Sequence, residues 1–211
     1  MLSSVGEGMC KMYCKEVSML PPELLDKPYL FFDFDGTLAD TERFHSMARN
    51  SVLKKYGVRV WDWNRYIGKT DIEIFTEINK KFRIGYDILA VVEEKIKLSK
   101  ELIILGKVEP FSSIDAIIET ASGKKYVISK QREEFISFFL QKWGLLKLFD
   151  KIISLAEETI SKPDKIISMK IVAEDSVLFD NIMSVLEEAT EKGFHTVLVK
   201  EGNLSFVLPK K

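Results

Sequence analysis

Asp33 and Asp35 close the apolar run Tyr29-Leu30-Phe31-Phe32 and are followed at once by Gly36-Thr37-Leu38-Ala39-Asp40. An unbroken apolar run bounded by a glycine turn predicts a strand covered on both faces. The spacing of two puts both carboxylates on one side of that strand and Phe34 in the core. Two unpaired carboxylates gathered out of water are costly, so a cation belongs between them, and a divalent metal is the simplest one. Three other places set polar residues directly after a short apolar stretch. They are Ser129 after Tyr126-Val127-Ile128, Lys162 in Ser161-Lys162-Pro163-Asp164, and Glu174-Asp175-Ser176 after Ile171-Val172-Ala173. If catalysis happens at the carboxyl ends of parallel strands, the set makes carboxylates, a hydroxyl and a lysine: an anion site with a metal.

The elements that must position these groups form a strand and helix alternation, interrupted once. Residues 1-28 read as an N-terminal tail punctuated by Pro21-Pro22 and Pro28. Helical spacing runs from Thr41 to Tyr56, with Asp40 or Thr41 to cap it and Gly57 to stop it. Two further amphipathic helices are predicted, about Asp71 to Phe82 and Tyr86 to Leu105. From Gly106 the alternation resumes. Helices are expected at Phe111 to Ser122, Arg132 to Trp143, near Asp164 and from Leu178 to Lys192. Strands are expected at Lys124 to Ser129, Lys151 to Leu155, Ile171 to Ala173 and His195 to Val199. Strands separated by helices imply an α/β fold, a parallel sheet with helices on both faces. The catalytic core is expected to be discontinuous, residues 29-41 and 107-211, with residues 42-106 inserted as a helical cap over the carboxyl end of the first strand.

The chain has 211 residues, 46% of them hydrophobic, enough to bury an ordinary core. Thirty-one basic against 32 acidic residues leave a net charge of −1, which gives no electrostatic argument for nucleic acid or an anionic membrane as partner. A small-molecule substrate is the expectation. No apolar stretch approaches a membrane span and no secretory signal is evident, so a cytoplasmic protein is expected. Cys10 and Cys14 have no accompanying histidine or cysteine cluster and read as free thiols on a loosely packed arm. Trp61, Trp63 and Tyr66 form either a small core within the insertion or an interface; a monomer or a homodimer is expected.

Asp33-Phe34-Asp35-Gly36-Thr37, with Ser129, Lys162 and Glu174-Asp175 in that order, resembles the signature of the haloacid dehalogenase-like hydrolase superfamily. The likeness covers about residues 29 to 200. The place of the insertion, together with Leu38-Ala39-Asp40-Thr41-Glu42 and His45, is similar to the phosphoglycolate phosphatase and β-phosphoglucomutase subgroup with its helical cap. The resemblance implies a Rossmann-like sheet and a Mg²⁺-dependent phosphatase acting on a small phosphorylated metabolite through an aspartyl-phosphate. In that scheme Asp33 attacks phosphorus and Asp35 protonates the leaving oxygen, then deprotonates water. Lys162 supplies positive charge and orients Asp33; Ser129 and the backbone around Gly36 and Thr37 cradle the phosphate. Asp33, Asp35 through its carbonyl, Asp175 and Glu174 hold the metal. An acid at position 35 favours a phosphate ester over a halide, because an alkoxide needs a proton to leave and a halide does not.

His45, and Lys69 in the Gly68-Lys69-Thr70 loop, are candidates for substrate contact. Asp180 reads either as a second acid near the metal or as a solvated helix residue. Two departures from the family stand out. Lys130 replaces the frequent Asn beside the phosphate. Only twelve residues separate Lys162 from Asp175, at the lower limit for a parallel crossover. Two alternatives therefore stay open: a sugar phosphomutase built on the same site, and a catalytically weakened phosphate-binding regulatory protein.

Overall fold

The computed structural model describes residues 14–16 and 20–207. Its centre is a seven-stranded sheet in the order β1-β7-β6-β5-β2-β3-β4. The strands are β1 (Cys14–Glu16), β2 (Tyr29–Phe32), β3 (Lys124–Ser129), β4 (Lys151–Ser154), β5 (Ser176–Asp180), β6 (His195–Lys200) and β7 (Asn203–Val207). Strands β6, β5, β2, β3 and β4 are parallel. The edge is not: β7 returns antiparallel on β6 through a tight turn, and β1 pairs antiparallel with β7. The expected parallel sheet is thus present in five strands and extended by an antiparallel edge. Two residues, Glu201 and Gly202, join β6 to β7, and a connection that short can only reverse the chain. Cys14 opens β1; Cys10 lies outside the described residues.

Helices α1 (Pro22–Leu25), α2 (Glu42–Lys54), α3 (Asp71–Phe82), α4 (Ile88–Leu105), α5 (Ser112–Thr120), α6 (Glu133–Lys142), α7 (Lys162–Ser168) and α8 (Met183–Glu191) complete the fold. The period of two in a strand sends β2 side chains alternately to both faces. Leu30 and Phe32 join α5 and α6 in one apolar cluster, while Phe31 joins α7 and α8 in the other. Phe32 stacks on Phe179 of β5 with centroids 4.5 Å apart, and Phe31 on Tyr126 of β3 at 5.0 Å. An aromatic run buried on both sides in this way holds the β2 terminus rigidly.

Between β2 and β3 the chain runs through α2, α3 and α4, whose inner faces form a separate apolar cluster that includes Leu53, Phe75, Ile78 and Val92. Thr70 and Glu73 make a reciprocal capping box at the start of α3, and the Asp87 carboxylate caps α4. Tyr66 is buried and Trp63 half-buried in this cluster, whereas Trp61 is 79% exposed beneath the Arg59 guanidinium.

The largest departure from the sequence reading lies at β5. Ile171-Val172-Ala173 is not a strand; residues Ala173–Asp175 form a 3₁₀ turn, and β5 begins at Ser176. Twenty-one residues therefore separate β4 from β5, room for an ordinary crossover containing α7. The short segment between Lys162 and Asp175 stops being an anomaly, and with it goes one reason for expecting a weakened protein.

Candidate active site

Asp33 follows β2 directly, its amide donating to the Phe179 carbonyl of β5 at 2.9 Å, so the carboxylate is delivered at the carboxyl end of the sheet. Asp180 ends β5 on the neighbouring strand and is fully buried. Lys162 is the first residue of α7, a helix opened by Ser161, whose hydroxyl oxygen accepts from the Asp164 amide. From there its ammonium reaches back to Asp33 Oδ1 at 2.7 Å and Asp180 Oδ2 at 2.6 Å, with 5% of its side chain exposed. Burial works against the charge on Lys162, but Asp180 and Asp33 together hold it above the ordinary lysine value. Burial pushes Asp33 up to about 7; Lys162 pulls it down, while Asp180 and Asp35 add repulsion. Asp33 Oδ2 takes no bond from the described residues.

Asp35 has a different set of partners. Its Oδ1 accepts from Thr41 Oγ1 at 2.6 Å and lies 2.8 Å from His45 Nε2. Burial alone would raise this carboxyl, yet His45, the Thr41 hydroxyl and nearby Lys95 outweigh it and hold Asp35 at about 2. Behind His45 stands a chain of buried polar groups. Lys95 Nζ is 2.8 Å from His45 Nδ1 and 2.7 Å from Asp71 Oδ2, and Arg49 Nε is 3.0 Å from Asp71 Oδ1. An ammonium can only donate, so Nδ1 accepts and the imidazole proton sits on Nε2, directed at Asp35. Ser99 Oγ lies 3.2 Å from Nδ1, and Gln131 Nε2 lies 3.4 Å from Nε2.

The remaining expected residues divide. Asp33, Asp35, Ser129, Lys130, Lys162 and Lys69 all line one cavity of about 290 Å³. His45 does not; it is 1% exposed and acts behind Asp35. Gly36 and Thr37 are also absent from the cavity wall. The Gly36 amide is given to the Ala39 carbonyl, and the glycine is needed for space, since a Cβ there would lie 2.1 Å from Asn181 Nδ2 at φ +75°. Lys130 donates to the carbonyls of Glu158 and Ile160 at 3.0 and 3.2 Å. It thereby fastens the loop that leads into Ser161 and Lys162, a positioning role that an Asn, with its shorter side chain, cannot copy. Lys69 pairs with Glu77 at 2.6 Å.

Glu174 and Asp175 are not brought to this place. They precede β5, Ser176 is paired with Tyr29 at the start of β2, and the Glu174 carbonyl accepts from Lys27. A strand of five residues rises about 16 Å, so they stand at the amino end of the parallel strands, opposite the carboxyl end that carries Asp33. The acid beside Lys162 is Asp180. The signal for it was present: Val177-Leu178-Phe179-Asp180 repeats the pattern of Leu30-Phe31-Phe32-Asp33. Ile171-Val172-Ala173-Glu174 imitates the same pattern with smaller side chains. Sequence reasoning missed Thr41 as a partner of Asp35, along with Arg49, Asp71 and Lys95, because three separate helices bring those last three together.

A family model described as haloacid dehalogenase-like hydrolase matches residues 30–185. The chain belongs to the haloacid dehalogenase-like hydrolase family. A curated relative of this hydrolase, the fructose-1-phosphate phosphatase YqaB of Escherichia coli (strain K12), is 28% identical over 138 residues, 64% of this chain and 72% of the relative. Among solved structures, CbbY from Rhodobacter sphaeroides in complex with phosphate matches with a TM-score of 0.63 at 21% identity, covering 80% of this chain and 84% of that one. The β-phosphoglucomutase pgmB from Clostridium difficile matches with a TM-score of 0.65 at 17% identity, covering 80% and 82%. At such identities the two structures speak to the fold alone: the α/β fold of this hydrolase family.

Proposed function

We propose that this hydrolase is a Mg²⁺-dependent phosphatase that cleaves the phosphate monoester of a small metabolite through an aspartyl-phosphate on Asp33, beneath a cap formed by residues 42–106. The observation that carries the reading is the Lys162 ammonium held between Asp33 and Asp180 at the mouth of the sheet, with Asp35 two residues on and Ser129 on the same cavity wall. The curated relative named as a fructose-1-phosphate phosphatase supports the substrate class.

With Oδ1 engaged by Lys162, Asp33 Oδ2 attacks phosphorus and the ester oxygen leaves with a proton from Asp35. A water then attacks the same phosphorus, Asp35 takes its proton, and the Asp33 carboxylate is released with inorganic phosphate. Asp35 rests ionised, which suits the second half. The first half requires it to pick up a proton, and the negative charge of an incoming phosphate raises its affinity for one. Lys162 and the Ser129 hydroxyl offset charge on the phosphoryl oxygens. The cap keeps bulk water from the acyl-phosphate.

The donors at hand fit a hard divalent cation. Asp33 and Asp180 bring two buried carboxylates against a single lysine, and the amide oxygen of Asn181, packed on Gly36, is buried with no hydrogen-bond donor. No three His, Cys, Asp or Glu side chains converge among the described residues, so backbone and amide oxygens must fill the shell. Asp33, Asp180, Asn181 Oδ1 and the Asp35 carbonyl would hold Mg²⁺. When bound, it supplies the positive charge that lets a carboxylate approach a phosphate dianion.

The test is phosphate release from p-nitrophenyl phosphate with Mg²⁺, with a chelator, and for Asp33→Asn. Activity in the wild type that vanishes in the other two arms is expected. Activity indifferent to both would refute the proposal.

A further inference from the structure

Gln131 stands in the turn between β3 and α6, two residues beyond Ser129, and is 9% exposed. Its backbone is pinned at both polar atoms. The amide donates to Ser129 Oγ at 3.4 Å, and the carbonyl accepts from Ser154 Oγ of the neighbouring strand β4 at 2.7 Å. The residue lines the same cavity as Asp33, Asp35 and Lys162. A long polar side chain held there gives up rotamer freedom and hydration, so both ends of its carboxamide need partners.

Only one end finds a partner in the protein. It lies 3.4 Å from His45 Nε2, while the other end meets no hydrogen-bond partner among the described residues and is not sealed from the outside. The imidazole decides which end is which. Lys95 donates to Nδ1, so Nε2 carries the proton, and an amide NH₂ beside it would set donor against donor. Turned by half a rotation about its last bond, the carboxamide fits: its oxygen accepts from Nε2–H, shared with Asp35 Oδ1 at 2.8 Å, and its NH₂ is left to donate into the cavity. Asp35 is arranged to match. Its Oδ1 is taken by Thr41 and His45, while Oδ2 accepts nothing from the described residues. An acid–base oxygen and an amide with open donors therefore hang on one ring nitrogen, in the wall of the cavity that holds the nucleophile.

We propose that Gln131 is a further catalytic residue, whose amide NH₂ seats the water that hydrolyses the aspartyl-phosphate. This role rests on the phosphatase reading above and deepens its second half. The NH₂ donates to one lone pair of the water, Asp35 Oδ2 accepts one of its protons, and the other lone pair faces phosphorus. As the water oxygen bonds to phosphorus, the bond from phosphorus to Asp33 Oδ2 breaks and its electron pair returns to the Asp33 carboxylate. The proton passes to Asp35, and inorganic phosphate leaves. Holding the water in line removes its orientational freedom before the step rather than during it. With a leaving group that departs unaided, the first half does not call on Gln131.

Rapid mixing with p-nitrophenyl phosphate and Mg²⁺ separates the two halves. In Gln131→Met, which keeps the length of the side chain and loses the amide, the first equivalent of nitrophenolate should appear within about threefold of the wild-type rate, while steady turnover falls about tenfold to a hundredfold. Acid-quenched variant should then carry more phosphate on Asp33 than the wild type, by mass spectrometry. Gln131→Ala, which leaves the backbone bonds to Ser129 and Ser154 in place, should behave alike, so the test does not hang on how one side chain packs. A residue that only shaped the site would slow both halves together, through displaced Ser129 and Asp35. First-equivalent and steady rates that fall in parallel, or that both match the wild type, would overturn the role of Gln131 and leave the phosphatase reading standing. A wild type that releases no nitrophenolate would overturn both.

Discussion

Replacing Asp71 by Asn converts the charge balance behind Asp35 into a measurable loss of stability. In the native protein Asp71 accepts from Lys95 at 2.7 Å and from Arg49 at 3.0 Å, and Lys95 has no exposed surface at all. Asp71→Asn keeps the shape and removes the charge, leaving a buried ammonium with neutral acceptors, an amide oxygen and His45 Nδ1, and no counter-charge. Breaking a buried pair from one side costs about 3–5 kcal/mol, a large share of the 5–15 kcal/mol expected for a domain. Lys95→Met should cost less, about 1.5–3 kcal/mol, because Asp71 keeps Arg49 and no cation is stranded. In the double variant the stranded ammonium is gone, so its cost should fall short of the sum by about 2 kcal/mol. Urea denaturation followed by circular dichroism, with an unchanged m-value, gives all four corners of the cycle. Costs that add within 0.5 kcal/mol, or an Asp71→Asn protein as stable as the wild type, would refute the reasoning.

Lys95 and Arg49 hold the Asp71 carboxyl below its ordinary 3.8 despite burial, so its contribution is complete above about pH 4 and is lost as pH falls toward the folded-state value. Wild-type denaturation midpoints should therefore drop steeply below pH 4, and the slope should be shallower in Asp71→Asn. Asp180→Asn should lower both phosphatase activity and Mg²⁺ affinity by isothermal calorimetry, while Asp175→Asn, at the opposite end of β5, should leave both within twofold. Asp35→Asn should slow hydrolysis of an alkyl phosphate by about 10²–10⁴. With p-nitrophenyl phosphate, whose leaving group needs no proton, the same variant should still release a burst of nitrophenolate before stalling at the acyl-phosphate. Gly36→Ala must place a methyl against Asn181 at a left-handed φ, and a melting temperature equal to the wild type's would contradict the packing described.

Strand β2 and its two aspartates were legible because their signal is local: an aromatic run that can be stable only when covered on both faces, then acids, then a turn. The three helices of the insertion were legible for the same reason, their caps and periodicity lying within a few residues. Strand β5 was misread because two apolar stretches six positions apart, Ile171-Val172-Ala173 and Val177-Leu178-Phe179, are each followed by an acid, and only pairing with Tyr29–Phe32 of β2 selects the second. Strands β1 and β7 were missed for a related reason. A three-residue strand such as β1 has no pattern of its own and exists through its partner β7. The mixed charge of α2, α3 and α4 showed no motif, since Arg49, Asp71 and Lys95 lie 22 and 24 residues apart and meet only when three helices pack. The sequence by itself therefore determined Asp33, Asp35 and the strand that presents them, since their spacing is enforced by one extended segment of backbone. Tertiary structure decided which acid stands beside Lys162, and it brought a histidine, a lysine, an aspartate and an arginine into one line behind Asp35. Such contacts between distant residues are set by strand register and helix packing, which no local pattern records.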